Sequence, residues 1–449
     1  MKKVLVANRG EIAVRVIRAC RDLGLGTVAV HSAADRDSLA VRLADESVQV
    51  GPAAARASYL NIPALVEAAR IRGADAVHPG YGFLSENPDF AEVCTAEGLT
   101  FIGPPAPVIE ALGDKARARA TAIEAGLPLL PGSRGELADV DAAQSLADEI
   151  GYPVIVKAVA GGGGRGMAVV RRSEDLARAW AETRAAAVAV FRDGRLFLER
   201  YLDSARHVEV QILADAHGHA VHLGTRDCTL QRRHQKLVEE CPAPALPPSF
   251  LAEIADAAVR MVQASGYVGA GTVEFLVDPS GPAFFFMEVN CRLQVEHPVT
   301  EIATGMDLVA EQLRVAAGEP LGFTQADLVV RGAAVECRIN CEDPARGFVP
   351  TPGVIERCEL PGGAFVRVDT HVHAGYRVPA AYDSLLAKVV VWAPDRERAF
   401  ARMRGALSEV RIEGPGIATT AGFLRDLLDH PRVVAVEHDT GLIGEVVGA

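Results

Sequence analysis

Long uninterrupted apolar runs are missing from this 449-residue chain, although 49% of its residues are hydrophobic. A membrane-spanning helix needs about 18 or more consecutive apolar residues, so the sequence predicts no membrane association. A signal peptide is not predicted either, because the apolar run after Lys3 ends at Asn8 and is more typical of a first β-strand. A basic tail or stripe is also missing. The formal net charge is −12, which argues against a nucleic-acid partner.

Cysteine framework spacing is absent, and lysine is scarce. The eight cysteines are scattered, which favours a reduced, cytoplasmic setting. The close pair Cys337 and Cys341 has no second pair to complete a zinc site. Only six of the 46 cationic residues are lysine, at Lys2, Lys3, Lys115, Lys157, Lys236 and Lys388. In a chain that uses arginine for nearly every cation, a retained lysine indicates a need for a compact ammonium.

Hydrophobic periodicity predicts three regions. Strand–helix alternation from residue 2 to about residue 103 indicates a doubly wound parallel sheet of the α/β class. Its first turn, ANRGEI, lacks G-x-G-x-x-G, so we expect no dinucleotide site there. A helical stretch at 106–125 and a linker rich in Pro and Gly precede a small three-stranded unit that suits a lid. From residue 204 onward, mixed strands and helices indicate an α+β domain with an antiparallel sheet.

A glycine-rich loop follows one buried strand. The segment 154–166, VIVKAVAGGGGRG, places four consecutive glycines just after Lys157. Such a loop can present backbone N–H groups to phosphate, because no side chain blocks the approach. It is not a Walker A loop, since no Lys-Ser/Thr follows and the next element is a strand. A flexible hairpin turn is the alternative interpretation.

An apolar hairpin at 271–290 carries acidic residues inside its strands. Glu274 and Glu288 lie about equally far from the turn, so antiparallel pairing would bring them together. Asn290 shares a face with Glu288. Two carboxylates and an amide oxygen are hard ligands suited to Mg²⁺ carrying nucleotide phosphates. The alternative is that one glutamate points to solvent.

Two polar segments could bind an anion. If the chain stays extended after the hairpin, Asn290, Arg292, Gln294 and Glu296 project the same way, which suits a small anion and a base. A solvated loop would look the same. The second segment, TLQRRHQKLVEE at 229–240, concentrates four cations, which are Arg232, Arg233, His234 and Lys236. A solvated surface turn is again the alternative interpretation.

Together the segments resemble the biotin carboxylase family of the ATP-grasp superfamily. Seven stretches fall in that family's order: HPGYGFLSEN (78–87), GDKARA (113–118), KAVAGGGGRGM (157–167), RHVEVQ (206–211), QRRHQKLVEE (231–240), EVNCRLQVEHPVTE (288–301) and VECRIN (335–340). The resemblance implies a Rossmann-like domain at 1–114, a linker and ATP-grasp lid at 115–203, and the remaining ATP-grasp and C-terminal domain at 204–449.

The resemblance also implies roles for particular residues. The nucleotide would be held by Lys115, Lys157, Gly163, Gly164, Glu199, Arg200, Tyr201, Leu202, His207, Gln231 and His234. The Mg²⁺ ligands, with Mn²⁺ as an alternative metal, would be Glu274, Glu288 and Asn290. Bicarbonate would bind Lys236, Arg292, Gln294 and Val295. Glu296 would be the base that deprotonates bicarbonate, and Arg338 would stabilise the biotin enolate.

The implied reaction uses ATP and bicarbonate to carboxylate biotin, which is the first half-reaction of an acyl-CoA carboxylase. The resemblance leads us to expect that this carboxylase is the acetyl-CoA carboxylase of fatty acid synthesis. No lysine lies in a Met-Lys-Met turn, so biotin is expected on a carboxyl carrier protein, with the carboxyltransferase on another chain. A cytoplasmic homodimer is also implied. The sequence departs from the family pattern at Val159-Ala160, Arg200 and residues 414–423.

Two other functions remain open at this point. One is a different ATP-grasp ligase that activates a carboxylate for attack by an amine, against which the segment 290–296 and Arg338 argue. The other is a nucleotide-binding module without catalysis, which predicts the loss of Glu288, Asn290, Glu296 or Arg338, and all four are present.

Overall fold

The structure is a computed structural model that describes residues 1–161, 166–279, 281 and 283–448. The two glycines expected to contact nucleotide, Gly163 and Gly164, lie outside the described residues. The chain folds around three sheets of three or more strands, and two further two-stranded sheets lie near the C-terminus.

The first sheet has five parallel strands in the order β3-β2-β1-β4-β5. Its elements are β1 (Lys3–Val6), α1 (Gly10–Asp22), β2 (Gly26–Ser32), α2 (Leu39–Leu43), β3 (Glu46–Gly51), α3 (Ile62–Arg72), β4 (Ala76–His78), α4 (Pro88–Ala96) and β5 (Thr100–Phe101). On β1, Val4 and Val6 pack in the cluster that contains α1, whereas Leu5 packs in the cluster of α3 and α4. Both faces are covered, so the predicted doubly wound sheet is confirmed.

The second sheet belongs to a small antiparallel unit with the strand order β7-β6-β8. It follows two helices, α5 (Ala106–Gly113) and α6 (Lys115–Glu124), and contains α7 (Val140–Ile150), β6 (Val154–Ala158), β7 (Met167–Val170), α8 (Leu176–Phe191) and β8 (Leu196–Arg200). The expected helical stretch at 106–125 is thus divided. The break lies at Asp114, whose Oδ1 accepts from the amides of Ala116 and Arg117 at 2.9 and 3.0 Å and caps α6.

The third sheet has eight strands in the order β13-β12-β9-β10-β11-β14-β19-β18. Its first half is built from β9 (Arg206–Ala214), β10 (Ala220–Arg232), β11 (Gln235–Cys241), α9 (Pro248–Ser265), β12 (Gly269–Asp278), β13 (Ala283–Asn290), α10 (His297–Thr304) and α11 (Leu308–Ala316). All of its strand pairs are antiparallel, as expected for this part of the chain.

The remaining chain completes the large sheet and covers it. It contains β14 (Ala333–Asn340), β15 (Glu342–Asp343), β16 (Val349–Pro350), β17 (Arg357–Glu359), β18 (Val366–Thr370), β19 (Leu385–Ala393), α12 (Arg396–Glu409), β20 (Arg411–Glu413), α13 (Ala421–Leu427), α14 (Pro431–Val434) and α15 (Leu442–Val447). Among the helices of the described residues, none has the length and apolar character that crossing a membrane requires.

Candidate active site

Six consecutive strands of the large sheet each carry at least one predicted site residue. Crossing the sheet from its β13 edge, the strands contribute Asn290, Glu274, His207, Gln231, Lys236 and Arg338, from β13, β12, β9, β10, β11 and β14 respectively. The segment after β13 and the helix α10 lie against the same sheet, since Glu296 reaches both β11 and β14. The site is therefore a strip of polar side chains across one face of a sheet.

Lys236 is at the centre of this strip. Its Nζ donates hydrogen bonds to Glu209 Oε2 at 2.6 Å, Glu274 Oε1 at 3.1 Å and Glu296 Oε1 at 2.6 Å. Burial alone would lower the pKa of Lys236, but the surrounding acidic groups, Cys228 and Glu209 among them, outweigh burial and raise it well above its ordinary value. The lysine is a fixed positive charge at the meeting point of three carboxylates.

Glu296 is completely buried between two cations. Its Oε1 accepts from Lys236, and its Oε2 accepts from Arg338 Nη2 at 2.9 Å. Burial raises the pKa of the Glu296 carboxyl, yet Lys236 and Arg338 more than compensate and hold the pKa well below its usual value. The group is therefore ionised, which is the state that a proton acceptor needs.

Arg338 also donates from Nε to Glu239 Oε1 at 2.6 Å. Burial raises the pKa of Glu239 most strongly, and its pKa is about 7 despite the arginine. Glu336 lies directly opposite Glu239 in the ladder, and its burial likewise raises its pKa well above the usual value. Arg338 therefore binds two carboxylates here through Nε and Nη2.

The predicted pairing within the acidic hairpin is confirmed. Glu274 lies opposite Glu288 in the β12–β13 register. Asn290 donates from Nδ2 to Glu274 Oε1 at 2.8 Å, and its Oδ1 accepts from Arg292 Nη2 at 3.0 Å. Glu288 is partly exposed, and its Oε2 lies 3.5 Å from Lys115 Nζ. The oxygen donors suit a hard cation, although a flip of the Asn290 amide would be needed to turn its oxygen toward Glu274.

Among the described residues, the compact clusters of potential metal ligands contain side chains other than the three expected magnesium ligands. His207, Glu209 and Glu274 bring ligand atoms within 4.8 Å of one another, as do Glu209, Cys228 and Glu296. Burial lowers the pKa of His207, but the neighbouring Glu274 carboxylate, 3.0 Å from Nε2, outweighs this and raises it. The three expected magnesium ligands remain a prediction.

The segment after β13 does not stay extended. The chain turns after Asn290, and α10 starts at His297 with Pro298 in its first turn, where proline is well tolerated. The polar side chains still converge. Arg292 Nη1 donates to Gln294 Oε1 at 2.7 Å, and Gln294 Nε2 donates to Glu274 Oε1 at 3.1 Å.

The four cations of the segment 229–240 do not form one anion site. Lys236 belongs to the carboxylate cluster, whereas Arg232 Nη2 donates to Gly347 O at 2.8 Å and its guanidinium lies 4.4 Å from the centre of the Phe348 ring. Arg233 and His234 form the exposed turn between β10 and β11, with φ angles of 49° and 67°. The geometry of the turn therefore places these cations apart in space, although they are neighbours in the sequence.

The expected nucleotide residues fall into two groups. In the small antiparallel unit, Lys157 Nζ donates to Glu199 Oε2 at 2.6 Å, and Arg119 also binds that carboxylate. Burial raises the pKa of Glu199, but Lys157 and Arg119 outweigh this and lower it. Lys115 lies at the start of α6. Lys157 and Arg119 therefore bind one carboxylate, and the charge of Lys115 lowers the pKa of that carboxylate further.

The backbone around Arg200 is already engaged. The amides of Arg200 and Tyr201 donate to Pro131 O at 2.7 Å and Pro153 O at 3.0 Å, and Arg200 Nη1 donates to Ile150 O at 2.9 Å. Leu202 follows directly and is partly buried. The second group lies on the large sheet, where Gln231 Nε2 is 3.4 Å from His207 Nδ1.

Sequence reasoning missed several buried polar residues of the site. Glu209 lies between His207 and Gln211 on β9, and all three are buried on the same face. Arg226 is fully buried and donates to Glu209 Oε1 at 2.6 Å. The alternation H-V-E-V-Q was the available signal, because polar residues at every second position of a strand share one face. Glu86, which accepts from Arg292 Nε at 2.9 Å, lies in the stretch 78–87 that carries the resemblance but was given no role there.

Comparison with known proteins identifies the family. Three family models match: "Biotin carboxylase, N-terminal domain" at residues 1–109, "Carbamoyl-phosphate synthase L chain, ATP binding domain" at 114–324, and "Biotin carboxylase C-terminal domain" at 336–445. Biotin carboxylase 1 of Bacillus subtilis is 51% identical over 440 residues, covering 98% of this chain and 97% of the relative.

Solved structures agree with this assignment. The crystal structure of a biotin carboxylase–β,γ-ATP complex from Campylobacter jejuni has a TM-score of 0.96 and 44% identity, covering 99% of this chain and 98% of that chain. The biotin carboxylase domain dimer of Hydrogenobacter thermophilus 2-oxoglutarate carboxylase, with MgADP, ADP and bicarbonate, has a TM-score of 0.95 and 46% identity over 100% of this chain and 98% of that chain. The chain therefore belongs to the biotin carboxylase family and is an ATP-dependent ligase.

Proposed function

We propose that the chain uses ATP and bicarbonate to carboxylate biotin carried on a separate carrier protein. The observation that carries this proposal is the buried triad of Lys236, Glu296 and Arg338, in which one ionised carboxylate bridges two cations. A base between two cations suits a reaction that deprotonates one anion and then stabilises another. The relatives with bound ADP, magnesium and bicarbonate support the choice of substrates.

In the first stage, bicarbonate occupies the space bordered by Lys236, Arg292 and Gln294, which lie within one hydrogen-bonded group with Glu274. Glu296 takes the bicarbonate proton, and the resulting oxygen attacks the γ-phosphate of ATP. The P–O bond to ADP breaks, giving carboxyphosphate and ADP. Lys115 and Lys157 offset the negative charge of the phosphates.

Glu274, Glu288 and Asn290 would hold Mg²⁺ or Mn²⁺ at the edge of the sheet, beside Lys115. When bound, the metal would neutralise phosphate charge during transfer and align the γ-phosphate. Glu288 is the most open of the three side chains, because it is partly exposed while Glu274 and Asn290 are buried.

In the second stage, carboxyphosphate releases CO₂ and phosphate, the phosphate takes the proton from biotin N1′, and the N1′ nitrogen attacks CO₂. Arg338 stabilises the enolate oxygen of biotin. Closure of the glycine-rich lid over the nucleotide would exclude water from carboxyphosphate, which otherwise hydrolyses.

We further propose acetyl-CoA carboxylase as the complete enzyme, with a carboxyl carrier protein and a carboxyltransferase on separate chains. A homodimer is proposed because the Hydrogenobacter thermophilus relative is described as a dimer. A cytoplasmic location is proposed because all eight cysteines are free thiols, as is usual in reducing compartments. A panel of acceptors, namely acetyl-CoA, propionyl-CoA, pyruvate and 2-oxoglutarate, tested with co-purified partners would identify the final acceptor.

The decisive experiment measures ADP release and carboxybiotin formation by the purified chain. ADP release should require bicarbonate, and free biotin should be carboxylated slowly. Streptavidin should not detect the chain itself, since biotin is proposed to be carried elsewhere. ADP release that ignores bicarbonate but responds to a carboxylate and an amine would instead favour the rival ATP-grasp ligase. Nucleotide binding without turnover would favour a non-catalytic module.

A further inference from the structure

Lys388 is a fully buried lysine that the proposed reaction does not use. It lies on β19, directly opposite Arg338 in the β14–β19 register. Its Nζ donates a hydrogen bond to the backbone oxygen of Val295 at 2.8 Å and lies 3.0 Å from Glu11 Oε1. The lysine therefore joins the C-terminal sheet and the first helix of the chain to the segment that carries Glu296.

The surroundings keep this ammonium charged. Burial by itself lowers the pKa of Lys388, but Glu11, Glu336 and Asp369 outweigh burial and raise it. Burying an ammonium is costly unless it is paired and hydrogen-bonded, and most cationic residues of this chain are arginine instead. The use of the compact lysine side chain at this buried position indicates that a short, directed hydrogen bond is needed here.

Glu11 is itself held in place by the loop after β4. Tyr81 donates its hydroxyl hydrogen to Glu11 Oε1. Asn8 Nδ2 donates to Pro79 O at 2.6 Å and to Tyr81 O at 2.7 Å, which fixes that loop. Gly80 has a φ of +64°, and a Cβ there would lie 2.9 Å from Asn8 Nδ2, so a side chain would disturb the contact.

The bond to Val295 O orients the next peptide group. The cis peptide bonds of the described residues are at Tyr152-Pro153 and Cys241-Pro242, so the bond between Val295 and Glu296 is trans. In a planar trans peptide the C=O and N–H point in opposite directions. Lys388 therefore turns the Glu296 N–H away from β19. Within the described part of the chain, neither the Val295 nor the Glu296 amide finds an acceptor.

A second restraint acts on the preceding carbonyl. Gln294 O lies 2.8 Å from His297 Nδ1 and accepts from the His297 amide at 3.4 Å. Two successive carbonyls, of Gln294 and Val295, are thus fixed just before α10. The free amides at 295 and 296 lie at the N-terminus of this eight-residue helix, which favours an anion.

We propose that Lys388, paired with Glu11, is a positioning residue that fixes the Val295–Glu296 peptide for bicarbonate binding and for proton transfer to Glu296. The inference rests on the proposed function, because it assigns the anion at this segment to bicarbonate. It predicts that loss of the pair disturbs bicarbonate use while nucleotide binding, which involves other elements, is unchanged.

The test variant is Lys388→Met combined with Glu11→Gln. The double change removes both charges together, so neither is left buried and unpaired. The KM for bicarbonate should rise about 10- to 100-fold and kcat should fall, because small misplacements of a reacting group have effects of this size. The Kd for ADP, measured by calorimetry, should stay within about twofold, since none of the proposed nucleotide residues contacts the pair.

The matched control is Arg396→Met combined with Glu240→Gln. This ion pair, with an Nε–Oε2 distance of 2.6 Å, joins β11 to α12 and lies outside the proposed machinery. It should lower the melting temperature and leave the bicarbonate KM unchanged. If the Lys388 double variant only loses thermal stability, as the control does, the positioning role is overturned.

A milder variant covers the case in which the double variant does not fold. Glu11→Gln alone keeps the bond from Lys388 to Val295 O but removes the charge that holds the ammonium, and it should raise the bicarbonate KM about threefold or more. An unchanged bicarbonate KM in this variant would contradict the pairing. Failure of the proposed function would look different, because the wild-type protein itself would then release ADP without bicarbonate.

Discussion

At the scale of single residues, Glu296 links two cations with different proposed tasks. Its Oε1 binds Lys236, which lies in the proposed bicarbonate site, and its Oε2 binds Arg338, which is assigned to biotin. A charge-assisted bond weakens when the carboxylate takes up a proton. Protonation of Glu296 in the proposed first stage would therefore weaken its bonds to both cations at once, while Arg338 keeps its bond to Glu239.

Variants of these two residues should separate the two stages. Glu296→Gln should stop carboxyphosphate formation and every later step, with a loss of about 10²- to 10⁴-fold because a general base is removed. Arg338→Ala should spare much of the bicarbonate-dependent ATP hydrolysis while carboxybiotin formation collapses. ADP release with and without biotin, measured beside carboxybiotin, distinguishes them. Arg398→Ala, on the exposed side of α12, is the control. Equal loss of biotin-independent hydrolysis in both variants would contradict this division.

The metal assignment can be tested at Glu288. Glu288→Gln should raise the Mg²⁺ concentration needed for half-maximal activity and lower turnover by about 100-fold or more, because one hard charged ligand is lost. Titration of activity with Mg²⁺ measures both effects. Glu413→Gln, at an exposed carboxylate on β20, should behave as wild type. Wild-type Mg²⁺ dependence in Glu288→Gln would reject the assignment.

At the scale of elements, apolar periodicity predicted the helices and strands whose buried face is apolar. The apolar pattern of the sequence predicts a helix at 248–265 and strands at 76–78 and 167–170, and the structure has all three with these bounds. The same pattern predicts a strand at 219–224, but the observed strand β10 continues to Arg232. Its second half buries Arg226, Asp227 and Thr229, which are polar. A strand whose buried face is polar gives no apolar alternation, so its full length could not be predicted from the sequence. Its length depends instead on pairing with other strands.

The contacts of the site also divide into local ones, which could be predicted from the sequence, and long-range ones, which could not. The pairing of Glu274 with Glu288 could be predicted because a single hairpin brings them together. The contacts of Glu86 with Arg292 and of Glu11 with Lys388 join positions more than 200 residues apart. Such contacts depend on how the sheets pack, and no local spacing encodes them.

The glycine-rich loop between β6 and β7 gives a prediction at this scale. Saturating ATP should slow hydrogen exchange in peptides that span residues 154–170, because phosphate oxygens would accept from the loop amides. Mass spectrometry of exchanged peptides measures this. Peptides from β17 and β20, a separate two-stranded sheet, provide the internal control. Unchanged exchange in 154–170 at saturating ATP would count against a nucleotide lid here.

At the scale of the whole molecule, the site draws on residues from distant parts of the chain. Glu86 follows β4 of the parallel sheet and accepts from the Cys291 amide at 2.9 Å as well as from Arg292. Tyr382 donates its hydroxyl hydrogen to Ala53 O at 2.6 Å, and its hydroxyl oxygen lies 2.7 Å from Ser32 Oγ, which joins the C-terminal region to the parallel sheet. The boundaries at residues 114 and 203 stay predictions, and these contacts join residues before 114 to residues after 203.

Two buried histidines predict how global stability depends on pH. Burial, followed by the nearby Arg15, lowers the pKa of His78 to about 3, and burial with Arg9 does the same for His371. The unfolded chain takes up these protons near pH 6.5, whereas the folded chain does not until about pH 3. Stability is therefore lost as the pH falls through this window, by about 2 kcal/mol per histidine between pH 8 and pH 5.

The measurement compares melting temperatures at pH 8 and pH 5. His371→Gln should melt lower than wild type at pH 8 but lose less on acidification, because one buried histidine with a lowered pKa has been removed. The exposed His217→Gln is the control and should keep the wild-type difference. An acid-induced decrease in His371→Gln as large as that of wild type would show that this histidine is not responsible.

The alternation along β9 also limits how the gene can change in length. His207, Glu209 and Gln211 face the site, while Val208, Val210 and Ile212 pack into the core beside α9. Deleting or inserting one codon within this strand would exchange the two faces for every residue beyond it, placing carboxylates in the core and valines in the site. The turn after it, at residues 216–219, is exposed and has no such constraint. Length variation in this part of the gene should therefore be confined to that turn, whereas substitutions in β9 can be accepted one side chain at a time.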